Sequence, residues 1–127
     1  MTVADPVARP RGQWWAIMPV ADFQPGDRRV VRAGALDIGV FNINGHVVAV
    51  LDLCPHERVP ICGGRVGGTT LPSEYGTFTW AREGEILSCP WHGWEFDLLS
   101  GACLVHGGKR LRQFPVRIDN GYIYLQA

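Results

Sequence analysis

Two short stretches, Cys54-Pro55-His56 and Cys89-Pro90-Trp91-His92-Gly93-Trp94, each bring one thiol and one imidazole within a few residues of each other. Together they offer four metal ligands, Cys54, His56, Cys89 and His92. Soft thiolate sulfur and borderline imidazole nitrogen favour transition metals over magnesium or calcium. A zinc finger usually groups like with like, a cysteine knuckle and then a histidine pair, around one tetrahedral ion. This chain instead repeats a mixed cysteine and histidine pair. Two such loops facing each other can put both sulfurs on an inner iron and both ring nitrogens on an outer one. An iron–sulfur centre is therefore the first reading, and a zinc-stabilised interaction module the alternative.

Such ligands need rigid elements to carry them. Trp14 to Val20 is a short apolar run, and Pro25-Gly26 marks a turn. Arg28 to Ala33, Leu36 to Ile43 and His46 to Leu53 read as strands, the last running straight into Cys54. Asn44-Gly45 is a strong hairpin signal, because both central residues of the tight turn must accept positive φ; Asp119-Asn120-Gly121 is a second. After His56 the segment to Gly64 holds too much proline and glycine for a helix. The span from Glu57 to Ser88 is long, with Gly67 to Tyr75 read as an insertion and surface loop. Thr77 to Trp80 and Glu85 to Ser88 are then expected to form a hairpin through Arg82-Glu83-Gly84, delivering Cys89. Glu95 to Leu98, Leu111 to Ile118 and Gly121 to Leu125 complete the strands, with a turn at Ser100-Gly101. Short strands broken by many of the 16 glycines and 9 prolines predict an all-β sandwich or barrel.

Composition narrows the function. A chain of 127 residues, 46% of them hydrophobic, can bury one modest core. Twelve basic residues against twelve acidic leave no net charge and no footprint of a nucleic-acid binder. No apolar run is long enough to span a bilayer. Residues 1–12 lack the apolar region of a secretory signal and read as a tail, with a single domain over 13–127. A cytoplasmic location is expected, and there four cysteines fit metal binding or free thiols better than disulfides. Cys62 and Cys103 are read as small buried apolar residues, His46 and His106 as solvated, and Lys109 to Arg112 as a charged strand edge. Pro55, Pro90 and Trp91 are placed to shield a centre. Gly63, Gly64 and Gly93 serve either turn geometry or close approach of N–H groups to sulfur. No G-x-G-x-x-G opens a helix, and too few further histidines exist for a mononuclear oxygenase iron.

The pair C-P-H and C-P-W-H-G-W-E-F-D resembles the paired cluster-binding motifs of Rieske proteins, specifically soluble ferredoxins and oxygenase domains, and the likeness runs from Trp14 to Leu125. The resemblance implies one [2Fe-2S] cluster per chain, with Cys54 and Cys89 as thiolate ligands and His56 and His92 as imidazole ligands. It implies a small antiparallel β domain with both ligand loops at one end. It also implies an electron carrier rather than an enzyme, a monomer that takes single electrons from a ferredoxin reductase and delivers them to a terminal oxygenase or related oxidoreductase through transient contacts. A small subunit of a nitrite-reductase-like enzyme is another role in the family; members in that role can lack the ligands, and all four are present here.

High-potential respiratory members carry hydroxyl donors near the second loop and a disulfide between the loops. Here Trp94 and Phe96 stand where the hydroxyls are expected and Trp91 where the tying cysteine would lie. The potential should therefore fall near the low end of the range of roughly −150 to +300 mV; a voltammetric midpoint above about +100 mV would contradict this.

Overall fold

The computed structural model describes residues 12–55, 58–72, 78–90, 93–104 and 109–127, without the side chains of 69–72 and 78–82. Most of the tail read over residues 1–12 thus lies outside the described residues. The strands are β1 (Trp14–Pro19), β2 (Arg28–Ala33), β3 (Leu36–Ile43), β4 (His46–Leu51), β5 (Arg65–Pro72), β6 (Phe78–Ser88), β7 (Glu95–Asp97), β8 (Gln113–Phe114), β9 (Val116–Asp119) and β10 (Tyr122–Gln126). They form three antiparallel sheets, ordered β1-β10-β9, β2-β3-β4-β8 and β5-β6-β7. The expected all-β class holds.

The two central strands of the middle sheet, β3 and β4, are buried on both faces, and strand alternation divides them. Ile38 and Val40 of β3 join Val47 and Ala49 of β4 in one core with Met18, Phe114, Ile123 and Leu125. Phe41 and Ile43 join Val48 and Val50 in a second core with Leu87, Phe96, Leu98, Cys54 and Cys89. A strand buried on both sides reads as a continuous apolar run, which is why β3 and β4 show little polar alternation.

Both Asn-Gly signals make the expected turns. Asn44 and Gly45 have φ of 53° and 94°, and Asn120 and Gly121 have 50° and 75°. The Asn42 Oδ1 accepts from the Gly45 N–H at 2.7 Å, fixing the first of these turns.

Among the boundaries that differ from expectation, three have a visible cause. β4 ends at Leu51 rather than Leu53, because the chain turns there to point the Asp52 carboxylate at a neighbouring loop. The strand expected over Leu111 to Ile118 divides into β8 and β9 around Pro115, which has no N–H to give a ladder. The strand expected to end at Leu98 ends at Asp97, whose carboxylate accepts from the Leu99 N–H and the Ser100 hydroxyl to start the turn.

The larger correction concerns residues 65–88. They form no hairpin through Arg82-Glu83-Gly84, and the stretch read as a surface loop from Gly67 is strand as far as Pro72. β5 pairs with β6 along its length, from Arg65 opposite Ser88 to Pro72 opposite Phe78. Between Gly67 opposite Ile86 and Thr69 opposite Ala81 the register shifts, so Arg82 to Glu85 bulge out of the ladder. Gly84, with φ of 86°, supplies a bend in that bulge instead of a chain reversal.

Gly39, in the middle of β3, has a specific reason to be glycine. A Cβ there would lie 2.2 Å from the Cys62 Sγ and 2.8 Å from its Cβ. Gly39→Ala should therefore lose about 1–3 kcal/mol of stability, as overpacked cores do, measured by urea unfolding.

Candidate metal centre

Cys54 lies at the head of the loop that follows β4, and Cys89 at the head of the loop between β6 and β7. Both side chains are buried, at 0% and 1% exposure, in one core. The backbone closes the two loops in the same way. The Cys54 N–H donates to the Val59 carbonyl and the Arg58 N–H donates to the Cys54 carbonyl, both at 2.8 Å. The Cys89 N–H donates to the Trp94 carbonyl at 2.8 Å and the Gly93 N–H to the Cys89 carbonyl at 2.9 Å. In each loop the fourth residue after the cysteine takes positive φ: Arg58 at 55° and Gly93 at 73°. Glycine adopts this conformation freely, whereas an arginine is held there at a cost of about 1–2 kcal/mol.

The loops also touch. The first leaves through Gly64 into β5, whose Arg65 pairs with Ser88, the residue before Cys89. A Cβ on Gly64 would sit 2.0 Å from the Ser88 carbonyl oxygen and 3.2 Å from the Pro90 Cδ, so only glycine permits this approach. The Gly64 N–H bonds the Ile61 carbonyl and the Gly93 N–H the Cys89 carbonyl. These amides therefore serve turn geometry, the first of the two roles considered for them. Nothing crowds a Cβ at Gly63.

Two charged side chains outside the motifs brace the first loop. The Asp52 Oδ1 accepts from the Ile61 N–H at 2.8 Å and the Cys62 N–H at 2.7 Å. The Arg28 Nη1, reaching across from β2, donates to the Cys62 carbonyl at 3.2 Å and to the Gly64 carbonyl. Sequence reading missed both, together with Arg58. A mid-strand glycine is a signal of close backbone approach and could have exposed Gly39. A short acidic side chain just after a strand hints at a loop cap, as Asp52 is. Nothing in sequence marks Arg28.

Of the four proposed ligands the structure describes Cys54 and Cys89 and brings them into one core; His56 and His92 lie outside the described residues, as do Trp91 and His106. None of the four cysteines forms a disulfide. Cys62 is buried as expected, while Cys103 is half-buried against the same core. His46 is exposed, Pro90 is exposed and Pro55 half-buried. Two buried thiols heading matched loops suit thiolate ligation of a metal centre.

Residues 13–115 match the model of the Rieske [2Fe-2S] domain, and the chain belongs to that family. It is 26% identical to the ferredoxin CarAc of Metapseudomonas resinovorans, over 88% of this chain and 92% of the relative. It is 29% identical to a 4beta-methylsterol monooxygenase of Methylococcus capsulatus, over 90% of this chain but only 30% of that larger protein. A chain of the complex of reduced oxygenase and oxidized ferredoxin in carbazole 1,9a-dioxygenase superposes with a TM-score of 0.67 at 25% identity, covering 89% of this chain and 92% of that one.

Burial pushes the Cys62 thiol well above its ordinary range; the Asp52 carboxylate adds to this by charge and by hydrogen bonding, and the Gly39 backbone and Arg28 oppose it. The folded chain thus keeps a proton that the unfolded chain releases above roughly pH 8.5. The resulting stability is fully present below that pH and is lost as pH rises. Between pH 8 and 10 the unfolding free energy of Cys62→Ala should accordingly fall less steeply than that of the wild type. The largest difference in slope is about 1.4 kcal/mol per pH unit, readable from urea titrations at each pH.

Proposed function

We propose that the chain is a one-electron carrier, a single domain over residues 13–127 holding one [2Fe-2S] cluster through Cys54, His56, Cys89 and His92. Cys54 and Cys89 would hold the inner iron, and His56 and His92 the outer. The observation that carries this reading is the pair of buried cysteines at the heads of two loops closed alike and locked together by Gly64. When bound, the cluster supplies a site that takes up and releases one electron. The protein's part is to hold the ligands still and keep water out. The closures at Cys54 and Cys89 occupy each cysteine's own N–H and carbonyl, so neither loop can swivel about its ligand. Leu87, Phe96, Leu98 and Ile61 pack around the two cysteines, and half-buried Trp94 lies against the same core.

The partners follow from the relatives that this chain spans nearly end to end. CarAc is named as a ferredoxin, and so is the ferredoxin component of a naphthalene 1,2-dioxygenase/salicylate 5-hydroxylase system from Ralstonia, of which the match covers 86%. The chain accordingly takes electrons from a ferredoxin reductase and passes them to a terminal oxygenase or related enzyme, through small transient contacts, and transforms no substrate itself. Among the described residues no helix is long and apolar enough to cross a membrane. Four cysteines without a disulfide support a cytoplasmic setting.

Anaerobically purified protein should be red-brown, contain about two irons per chain and give a rhombic EPR signal after dithionite. Cys89→Ser should abolish both iron and signal, and His92→Cys should give a more negative potential. Colourless protein with about one zinc per chain would replace this reading with a zinc-stabilised module.

A further inference from the structure

We propose that Arg28 is a positioning residue for the cluster: from a strand remote in sequence, it holds the return limb of the first loop at the spacing from the second loop that joint ligation by Cys54 and Cys89 requires. The inference rests on the iron–sulfur reading above.

The return limb, Ile61 to Gly64, is gripped by opposite charges. Asp52 takes its amides at Ile61 and Cys62, and Arg28 takes its carbonyls at Cys62 and Gly64. A carboxylate can only accept and a guanidinium can only donate, so each serves the half of the backbone that the other cannot. Arg28 is itself placed by its pairing with Phe41, a buried member of the core that holds both ligand cysteines. The grip ends on the residue that touches the second loop. Gly64 approaches the Ser88 carbonyl so closely that not even a methyl group fits, and Ser88 precedes Cys89. A small shift of Gly64 therefore passes directly to the second thiolate. Beside Arg28 opens a cavity of about 380 Å³, lined also by Asn44, Arg65 and Gly84. Truncating Arg28 would remove the donor shared by the Cys62 and Gly64 carbonyls, and water in its place offers hydrogen bonds but no fixed position.

Arg29 provides the control. It is the next residue on β2, also exposed, carries the same charge, and points to the opposite face of the strand. In the cluster-loaded protein, Arg28→Ala should broaden and shift the rhombic EPR signal and speed cluster loss to an iron chelator by about tenfold, the scale of one charged hydrogen bond. Arg28→Lys, which keeps a cationic donor, should recover part of both, and Arg29→Ala should match the wild type. The proposal is overturned if Arg28→Ala keeps the wild-type spectrum and rate. It is equally overturned if Arg29→Ala changes them as much, since charge alone would then suffice. If Arg28→Ala does not fold, Arg28→Gln against Arg29→Gln decides by the same two readouts. Wild-type protein lacking iron and signal would instead sink the reading on which the proposal rests, an outcome distinct from a loaded variant behaving as wild type.

Discussion

The molecule depends on one contact: the backbone of Gly64 against the carbonyl of Ser88. Two cysteines separated by more than thirty residues must be delivered to one small volume, and ordering such a long span costs conformational entropy that local contacts cannot recover. The β5–β6 ladder recovers it. Because Arg65 pairs with Ser88, the first backbone pairing after one loop is also the last before the other. The ladder thus joins the loops at their roots, and what lies between them is a long, paired excursion that leaves the ligand end undisturbed. The register shift after Gly67 sits beyond the paired roots, so its irregularity stays away from the cysteines.

Given that yoke, the matched closures acquire a purpose. Each cysteine spends its own N–H and carbonyl inside its loop, so the thiol is the group left to point inward. The two frames coincide at the cysteine and at the positive-φ residue, yet the sequence puts histidine two residues after Cys54 and three after Cys89. The loops are therefore alike as scaffolds and unlike in where the sequence sets their histidines. A glycine fills the left-handed position in the second loop, while Arg58 fills it in the first. That arginine is tolerated because bonds on either side of it, at Cys54 and Val59, hold the conformation.

What could be read from sequence was what short range decides. The mixed cysteine and histidine pairs, both Asn-Gly turns and the strands around them depend on neighbouring residues and were legible. The β5–β6 pairing was not, because Gly67-Gly68 and Gly84 look like loop punctuation while serving a ladder and a bulge. Pro115 could have warned that a single strand would not run from Leu111 to Ile118. Arg28 and Asp52 were invisible for a different reason. Their role is to satisfy backbone groups of a distant loop, and a charged residue on a strand gives no hint of which carbonyl it will meet. The ligand set of Cys54, His56, Cys89 and His92 is a proposal, in which the two imidazoles rest on the motif alone.

The two-faced middle sheet explains how such a small domain can afford a reactive centre. Ile38, Val40, Val47 and Ala49 face one core, where Phe114, Ile123 and Leu125 complete ordinary apolar packing. The alternate residues of the same strands face the cysteines. On that second face the demands conflict: buried thiols, inward polar caps and close backbone approaches all lower tolerance to change, as Gly39 against Cys62 shows. Strand alternation keeps these demands from spreading, since a residue and its neighbour answer to different cores. The first core can therefore stabilise the sheet without reference to the centre, and the rigidity it lends to β3 and β4 is passed on through Asp52 to the loop that carries Cys54.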